Sequence, residues 1–406
     1  MTKTVALVGA LDTKAEDYLF LKEEIEKRGC ATLTINVGVL GAPGFAPDVS
    51  AAEVAQAGGA SLDDLVAERD RGRALDVMTQ GAAVMARQLY DAGRFQGIIA
   101  MGGGGGTALG TNAMRALPIG VPKLMVSTIA SGDTAAYVGT SDIVMMPSIV
   151  DVAGVNRISR VIYTNAAAAI CGMVASGQVA EIPGADKPLV AISQFGNTTR
   201  AVTHARGLLE QAGYEVLVFH ATGTGGRMME KLVSEGYFAG VLDMTTTEWA
   251  DELCGGVLSA GPTRLEAAAQ AGVPQVVTPA CLDMCNFWAP ETIPDRYRGR
   301  LFYHWNPNVT LMRTSSEENA QLGEIFADKL NQAQGPVLVL VPMGGFSEVD
   351  IPGGPFWLPE ADQAFVDALR RNLRPEIPVE IMDVDVNNPA FSTRAVEALL
   401  ALLSTH

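Results

Sequence analysis

The chain has 406 residues, of which 48% are hydrophobic and 18% charged, with a formal net charge of −16. That length and apolar content suit two or three domains with large cores. The acidic balance argues against nucleic acid or an anionic membrane as the main partner. Five scattered cysteines, Cys30, Cys171, Cys254, Cys281 and Cys285, form the unpaired pattern of reduced, buried thiols in a cytoplasmic protein. Cys281 and Cys285 have no neighbours that would complete a metal site.

The chain opens on an apolar strand that ends at Gly9, too short for a signal peptide. The turn Ala10-Leu11-Asp12-Thr13-Lys14 follows, then a helix over residues 15–28 with Tyr18, Leu21 and Ile25 on one face, closed by Gly29. A strand over residues 31–37 runs into a Gly/Pro loop, and residues 61–93 read as two helices broken near Arg71-Gly72. Residues 95–100 form a buried strand, and the run Met101-Gly102-Gly103-Gly104-Gly105-Gly106-Thr107 leads from it into a helix over residues 108–117. Further strands are expected at 123–127 and 143–146, separated by the polar turn Ser131-Gly132-Asp133-Thr134. A core helix covers 154–175, and no run is expected to span a membrane.

Residues 177–187 lack periodicity and mark a domain boundary, giving domains over 1–180 and 187–406. The pattern then restarts. Strands are expected at 188–193, 215–219, 240–244, 274–278, 335–341 and 378–383, and helices at 198–212, 315–330, 360–373 and 390–403. Strand–helix alternation predicts an α/β fold of two doubly wound (Rossmann-like) domains with mostly parallel sheets.

In such sheets ligands bind beyond the carboxyl ends of the strands. In the first domain that edge offers Asp12, Thr13, Lys14, the run Gly102, Gly103, Gly104, Gly105, Gly106 and Thr107, and Ser131, Gly132 and Asp133. Glycines admit positive φ and close backbone approach, and a helix start favours an anion. Lys14 supplies a counter-charge, although it also reads as a solvated first-turn lysine, and Asp133 is the candidate Mg²⁺ ligand. Together they suit a nucleotide polyphosphate. No Gly-Lys-Ser/Thr follows, so the run is not a P-loop. Gly103, Gly105 and Ala108 match a dinucleotide pattern, but the next strand ends in Ser127-Thr128 rather than a ribose-binding acid. The run is similar to the phosphate loop of phosphofructokinase-like and NAD-kinase-like proteins, with Gly104 where their aspartate stands.

The second domain offers His220 to Gly226, Thr245-Thr246-Thr247-Glu248, Asp251-Glu252, Asp283-Met284-Cys285-Asn286, Tyr303-His304-Trp305-Asn306 and Gly344-Gly345-Phe346-Ser347. His220 or His304 could carry a proton, Arg227 could bind a carboxylate or phosphate, and Glu248 could supply acid–base chemistry. Ordinary satisfied loop residues are the competing reading for each.

Leu11-Asp12-Thr13-Lys14, the glycine run, Phe219-His220-Ala221-Thr222-Gly223-Thr224-Gly225-Gly226-Arg227, Leu242-Asp243-Met244-Thr245-Thr246-Thr247-Glu248 and Pro352-Gly353-Gly354-Pro355-Phe356 resemble an uncharacterised family. It is the family of the tomato mosaic virus resistance protein's ATP-binding-domain region. The resemblance implies two α/β domains, ATP bound by the N-terminal one, and a homodimer. The leading expectation is a cytoplasmic Mg·ATP-binding enzyme acting on a small acidic metabolite. A non-catalytic ATP-binding assembly module, and a lyase or isomerase that holds a phosphorylated substrate on the glycine run, remain open.

Overall fold

The computed structural model describes residues 2–176 and 187–405. The chain divides into two units, Met1–Ile182 and Pro183–His406. The expected boundary segment lies outside the described residues except for Lys187.

The first unit runs β1 (Thr4–Gly9), α1 (Ala15–Glu26), β2 (Ala31–Asn36), α2 (Ala51–Ala57), α3 (Leu62–Glu68), α4 (Arg71–Asp91), β3 (Gly97–Gly102), α5 (Gly104–Arg115), β4 (Lys123–Ser127), α6 (Ala135–Val138), β5 (Val144–Pro147) and α7 (Arg157–Ser176). Its five strands are parallel, in the order β2-β1-β3-β4-β5. Alternation along β1 sends Ala6 and Val8 into one core with α2, α4 and α5. Val5 and Leu7 enter the opposite core with α1 and α7. Both faces of the sheet are therefore covered, which is why its strands read as unbroken apolar runs.

Two expectations change here. The helix after the glycine run starts at Gly104 rather than residue 108, so Gly104, Gly105 and Gly106 form its first turn. None of Gly102 to Gly106 has positive φ, so conformational freedom is not what selects glycine there. In addition, α7 is long and apolar enough to cross a membrane by length and composition. Its Tyr163, Ala166, Ala167, Ile170, Cys171 and Val174 are buried in the core shared with α1.

The second unit runs β6 (Leu189–Gln194), α8 (Thr199–Gln211), β7 (Glu215–His220), α9 (Thr224–Ser234), β8 (Gly240–Asp243), α10 (Glu248–Cys254), α11 (Glu266–Ala271), β9 (Gln275–Val277), β10 (Met284–Phe287), β11 (Phe302–Asn306), β12 (Val309–Arg313), α12 (Ser316–Leu330), β13 (Val337–Pro342), α13 (Pro359–Asn372), β14 (Val379–Met382) and α14 (Pro389–Ser404). A six-stranded parallel sheet has the order β14-β13-β9-β8-β6-β7. Its two main cores hold α12 and α13 on one face and α8 and α14 on the other.

A second sheet, β10-β12-β11, is antiparallel. Its segments around Met284 and Tyr303 read as polar loops in the sequence. They are strands that carry buried polar residues such as Asn286 and Arg313. All five cysteines are free, and Cys171, Cys254, Cys281 and Cys285 are buried, as expected.

Candidate functional site

Strand order locates a crevice in each unit. In the first, β1 is flanked by β2 and β3, so the chain reverses direction across the sheet between β1 and β3. Loops at such a reversal splay apart and leave room for a ligand. The glycine run lies at that point. Gly103 precedes α5, and among the described residues no side chain caps the helix. The first N–H groups of a helix have no intrahelical acceptor, and the dipole adds about half a positive charge there. A Cβ on Gly104 would meet nothing within 4 Å, and one on Gly105 only Leu75 Cδ1 at 3.9 Å. The fold does not need glycine at either position, so both leave open space above the backbone.

Beside this turn is a pocket of about 680 Å³ that includes Gly105 and is walled by Val39, Leu65, Met78 and Leu109. Arg69 and Arg71 also line it, and neither has an ion-pair partner among the described residues. Arg69 sits at φ 54°, a left-handed conformation uncommon outside glycine.

The other predicted residues surround the same edge with differing roles. Asp12 accepts hydrogen bonds from Thr13 N (2.7 Å) and Leu40 N (2.7 Å), so it latches the loop after β2. A Cβ on Gly38 would lie 2.4 Å from the Asp12 carboxylate, so this latch requires glycine there. Lys14 Nζ donates to the carbonyl of Val152, beyond β5. Thr107 is fully buried, with its hydroxyl bound to Gly103 O (2.8 Å) and Ser127 Oγ (2.7 Å). It braces the turn from below and has no surface to offer a ligand. Ser131 lines a neighbouring pocket of about 500 Å³. Asp133 is exposed and accepts from Ala135 N (3.0 Å). Among the described residues no group of three or more His, Cys, Asp or Glu could hold a metal.

In the second unit β6 is flanked by β7 and β8, which puts the reversal between β6 and β8. A pocket of about 620 Å³ lies beside it, at the ends of β6 and β7, bordered by the turn after β6, the start of α9 and the antiparallel sheet. His220 lines it, with its ring stacked on Phe195 at 5.7 Å. His220 Nδ1 lies 3.0 Å from Gln194 O. A carbonyl only accepts, so Nδ1 carries the proton and Nε2 of the neutral ring is an acceptor. Arg227 lines the same pocket and donates to Ser259 O (2.9 Å). His304 lies on β11 with Nδ1 3.5 Å from Thr310 Oγ1 and does not line the pocket.

Glu248 belongs elsewhere. It is 1% exposed, and its Oε1 accepts from Gly223 N (2.7 Å) and Gly226 N (3.1 Å) at the start of α9. Its Oε2 pairs with Arg264 Nε (2.7 Å). Arg264 is buried and also binds Asp243 through both terminal nitrogens (2.5 and 2.6 Å) and Glu230 (3.0 Å). Burial alone would lower the Arg264 pKa, but the carboxylates of Asp243 and Glu248 outweigh it and hold the guanidinium protonated. Glu248 therefore caps a helix from inside the protein, and the expected acid–base role at the pocket does not follow from its position.

The comparisons with known proteins agree with this two-unit organisation. The N-terminal domain of the Uncharacterised protein family (UPF0261) matches residues 3–179, and the C-terminal domain of the same family matches residues 187–403. The chain belongs to this family. A UPF0261 protein of Clostridium tetani is 46% identical over 99% of the chain and 100% of its own length. A UPF0261 protein of Mesorhizobium japonicum is 46% identical over 98% of each. The ToMV resistance protein Tm-1 of Solanum lycopersicum is 40% identical over 82% of the chain, which corresponds to 45% of that protein. Among solved structures, UDP-N-acetylglucosamine 2-epimerase from Rickettsia bellii aligns over the whole chain and 97% of its own, at 8% identity and a TM-score of 0.23. A score that low carries no inference about this family.

Sequence reasoning missed residues of the first crevice and the arginine at the centre of the buried Glu230, Asp243 and Glu248 cluster. Arg69, Arg71 and Leu75 lie on a helix pair whose apolar stripe looks like ordinary packing. Arg264 is a single arginine in a loop, with no periodic signal. Asp243, at the end of a strand that reads as buried, is the one hint that a cation must lie beside it.

Proposed function

We propose that this is a cytoplasmic Mg·ATP-binding protein with the nucleotide in the first unit, acting as an enzyme on a small acidic metabolite held in the second. One observation carries the nucleotide reading. The uncapped first turn of α5 sits at the strand reversal, with open space over Gly104 and an apolar pocket beside Gly105. The backbone N–H groups of that turn suit phosphate oxygens, and the adjoining pocket suits a base. Arg69 and Arg71 supply counter-charge near the turn, and Lys14 is the further cation at this edge. Mg²⁺ would be carried mainly by the phosphates, with Asp133 a direct or water-mediated ligand. Five free thiols suit a reducing compartment.

Calorimetric titration with ATP, ADP and NAD, with and without Mg²⁺, tests the reading. ATP should bind and raise the Tm of the first unit, Arg71→Ala should weaken it, and NAD should not compete. A protein indifferent to ATP, or equally responsive to NAD, would overturn the assignment. ATP turnover appearing only with an added metabolite identifies an enzyme. Binding without turnover across a metabolite screen identifies an assembly module.

A further inference from the structure

Two residues that line the pocket at the ends of β6 and β7 each carry a buried oxygen without a donor among the described residues, and His220 adds a third acceptor. Asn286 is fully buried, and its Nδ2 donates to Asp251 Oδ2 (2.7 Å) and Thr247 Oγ1 (3.3 Å). Those two acceptors fix which way the amide faces. Asn286 Oδ1 is then buried without a donor among the described residues. Asn197, in the turn after β6, is 2% exposed, and its Oδ1 is likewise buried without a donor. His220 Nε2 is the third acceptor, by the tautomer derived above. A buried polar atom left unpaired costs about 1–3 kcal/mol. Two such oxygens on residues lining one pocket point to a ligand that supplies the donors.

Charge and shape narrow the class. The chain has 45 acidic and 29 basic residues, yet among the described residues no Asp or Glu lines this pocket, whereas Arg227 does. An anion is therefore favoured. The N-terminus of α9 adds little to its binding, because Glu248 already occupies Gly223 N and Gly226 N. One guanidinium balances the single charge of a carboxylate and offers it a planar, bidentate fork. Trp288 and Trp305 also line the pocket and are about half exposed, presenting flat apolar surface. The three acceptors come from the turn after β6, the end of β7, and β10. Hydroxyls on successive carbons point in several directions and so suit acceptors spread over three elements.

We propose that this pocket takes a sugar acid, a small polyhydroxylated carboxylate whose hydroxyls donate to Asn197, Asn286 and His220, whose carboxylate meets Arg227, and whose apolar ring or chain face lies on the tryptophans. This rests on the reading of the second unit as the site of a small acidic metabolite, and names its class. Asp251 is a positioning residue: by accepting from Asn286 Nδ2 it keeps the carboxamide oxygen available.

The test uses the full chain, with D-galacturonate, D-gluconate and D-glucarate as probes, D-galactose and D-glucose as uncharged controls, and calorimetry as readout. At least one acid should bind at millimolar concentration or tighter, and its uncharged counterpart should not. Arg227→Gln, at an exposed side chain, should weaken the acid about tenfold or more, the scale of one charged hydrogen bond. Asp251→Asn should turn the Asn286 amide so that Nδ2 replaces Oδ1, and weaken the same acid without altering ATP binding. If Asp251→Asn does not fold, Arg227→Gln still decides. Absence of binding by all three acids, equal binding by the uncharged sugars, or competition between the acid and a nucleotide that is itself sensitive to Arg227→Gln would overturn the proposal. Acid binding without ATP binding would leave it standing and remove the nucleotide reading of the first unit. ATP binding without acid binding would do the reverse.

Discussion

Gly104 separates two explanations of the glycine run, because they predict opposite signs for stability. It is the first residue of α5, its φ is outside the left-handed region, and an added Cβ would meet nothing within 4 Å. Gly104→Ala therefore meets no obstacle in the folded state and restricts the unfolded chain, which is worth about 0.4–1 kcal/mol of stability. For a unit spanning Met1–Ile182, each kcal/mol moves Tm by about 2–4 °C, so the expected rise is about 1–4 °C. Ligand binding should move the other way. ATP at about 100 times its Kd adds about 2.7 kcal/mol of stability, and each tenfold loss of affinity removes about 1.4 kcal/mol of that. Gly104→Val, which fills the open space with a branched side chain, should remove most of the ATP-induced rise while the unit still folds. Scanning calorimetry of the two variants with and without ATP measures both quantities. A drop in the Tm of the ligand-free Ala variant would show that the fold itself requires this glycine. An undiminished ATP response in the Val variant would show that no phosphate approaches this backbone.

Three further outcomes follow from the same geometry. Glu248→Ala should destabilise the second unit by about 3–5 kcal/mol, because it strips one carboxylate from buried Arg264 and uncaps α9, and this loss should appear in denaturant unfolding without any ligand. Burial, opposed by the hydrogen bond from Asn286, pushes Asp251 up to about 7. Its folded pKa thus exceeds its unfolded value, so the stability it contributes is fully present below about pH 4 and is lost as pH rises through about 7. Asp251→Asn should reduce that part of the second unit's slope, leaving the contributions of Asp350, which burial raises to about 9, and Asp283, which burial raises to about 6; an unchanged slope would mean that Asp251 does not take up a proton on folding. Lys14→Ala should weaken ATP more than adenosine, and Asp133→Asn should reduce the Mg²⁺ dependence of binding. Equal losses for both ligands, or an unaltered Mg²⁺ response, would remove these residues from the site.

The parallel sheets are legible in the sequence because helices cover both faces. Strands such as Val5 to Val8 and Val337 to Val341 then need no polar alternation and stand out as apolar runs between helical periods. The antiparallel sheet is not legible for the opposite reason. Its strands carry buried Asn286, Thr310 and Arg313 alongside exposed Tyr303 and Trp305, which inverts the pattern that marks a strand. The start of α5 is misplaced by four residues because glycine is a poor helix former, by about 1 kcal/mol each relative to alanine, so three in succession read as a turn. The first-unit crevice is legible at Gly104 and Gly105 but not at Arg69 and Arg71, since an arginine on an exposed helix end looks the same whether or not a pocket lies beneath it.

The two glycine-rich turns show how far composition alone can lead. Both follow a strand, both open a helix, and by sequence both suit an anion. In the second unit each glycine answers to the protein itself. Gly223 has φ 82°, a Cβ on Gly225 would lie 2.0 Å from His220 O, and one on Gly226 would lie 2.1 Å from Glu248 Oε2. The positive end of α9 is neutralised from within by a carboxylate that Arg264 holds in place. In the first unit the corresponding turn has no acidic cap, and the positions of Gly104 and Gly105 have room for a side chain. Glycines required by packing account for themselves, whereas glycines that merely leave space lower helix stability with no return inside the fold. External anion affinity is therefore expected at α5 rather than α9, and anion recognition in the second unit falls to the Arg227 side chain. Grafting an internal cap onto α5 tests this asymmetry. Gly103→Asp would place a carboxylate at the helix start, stabilise the ligand-free unit by roughly a few tenths of a kcal/mol, the difference between Asp and Gly as an N-cap, and compete with phosphate for the same N–H groups. An ATP affinity that survives this substitution together with a measured gain in stability would place the nucleotide away from the α5 terminus.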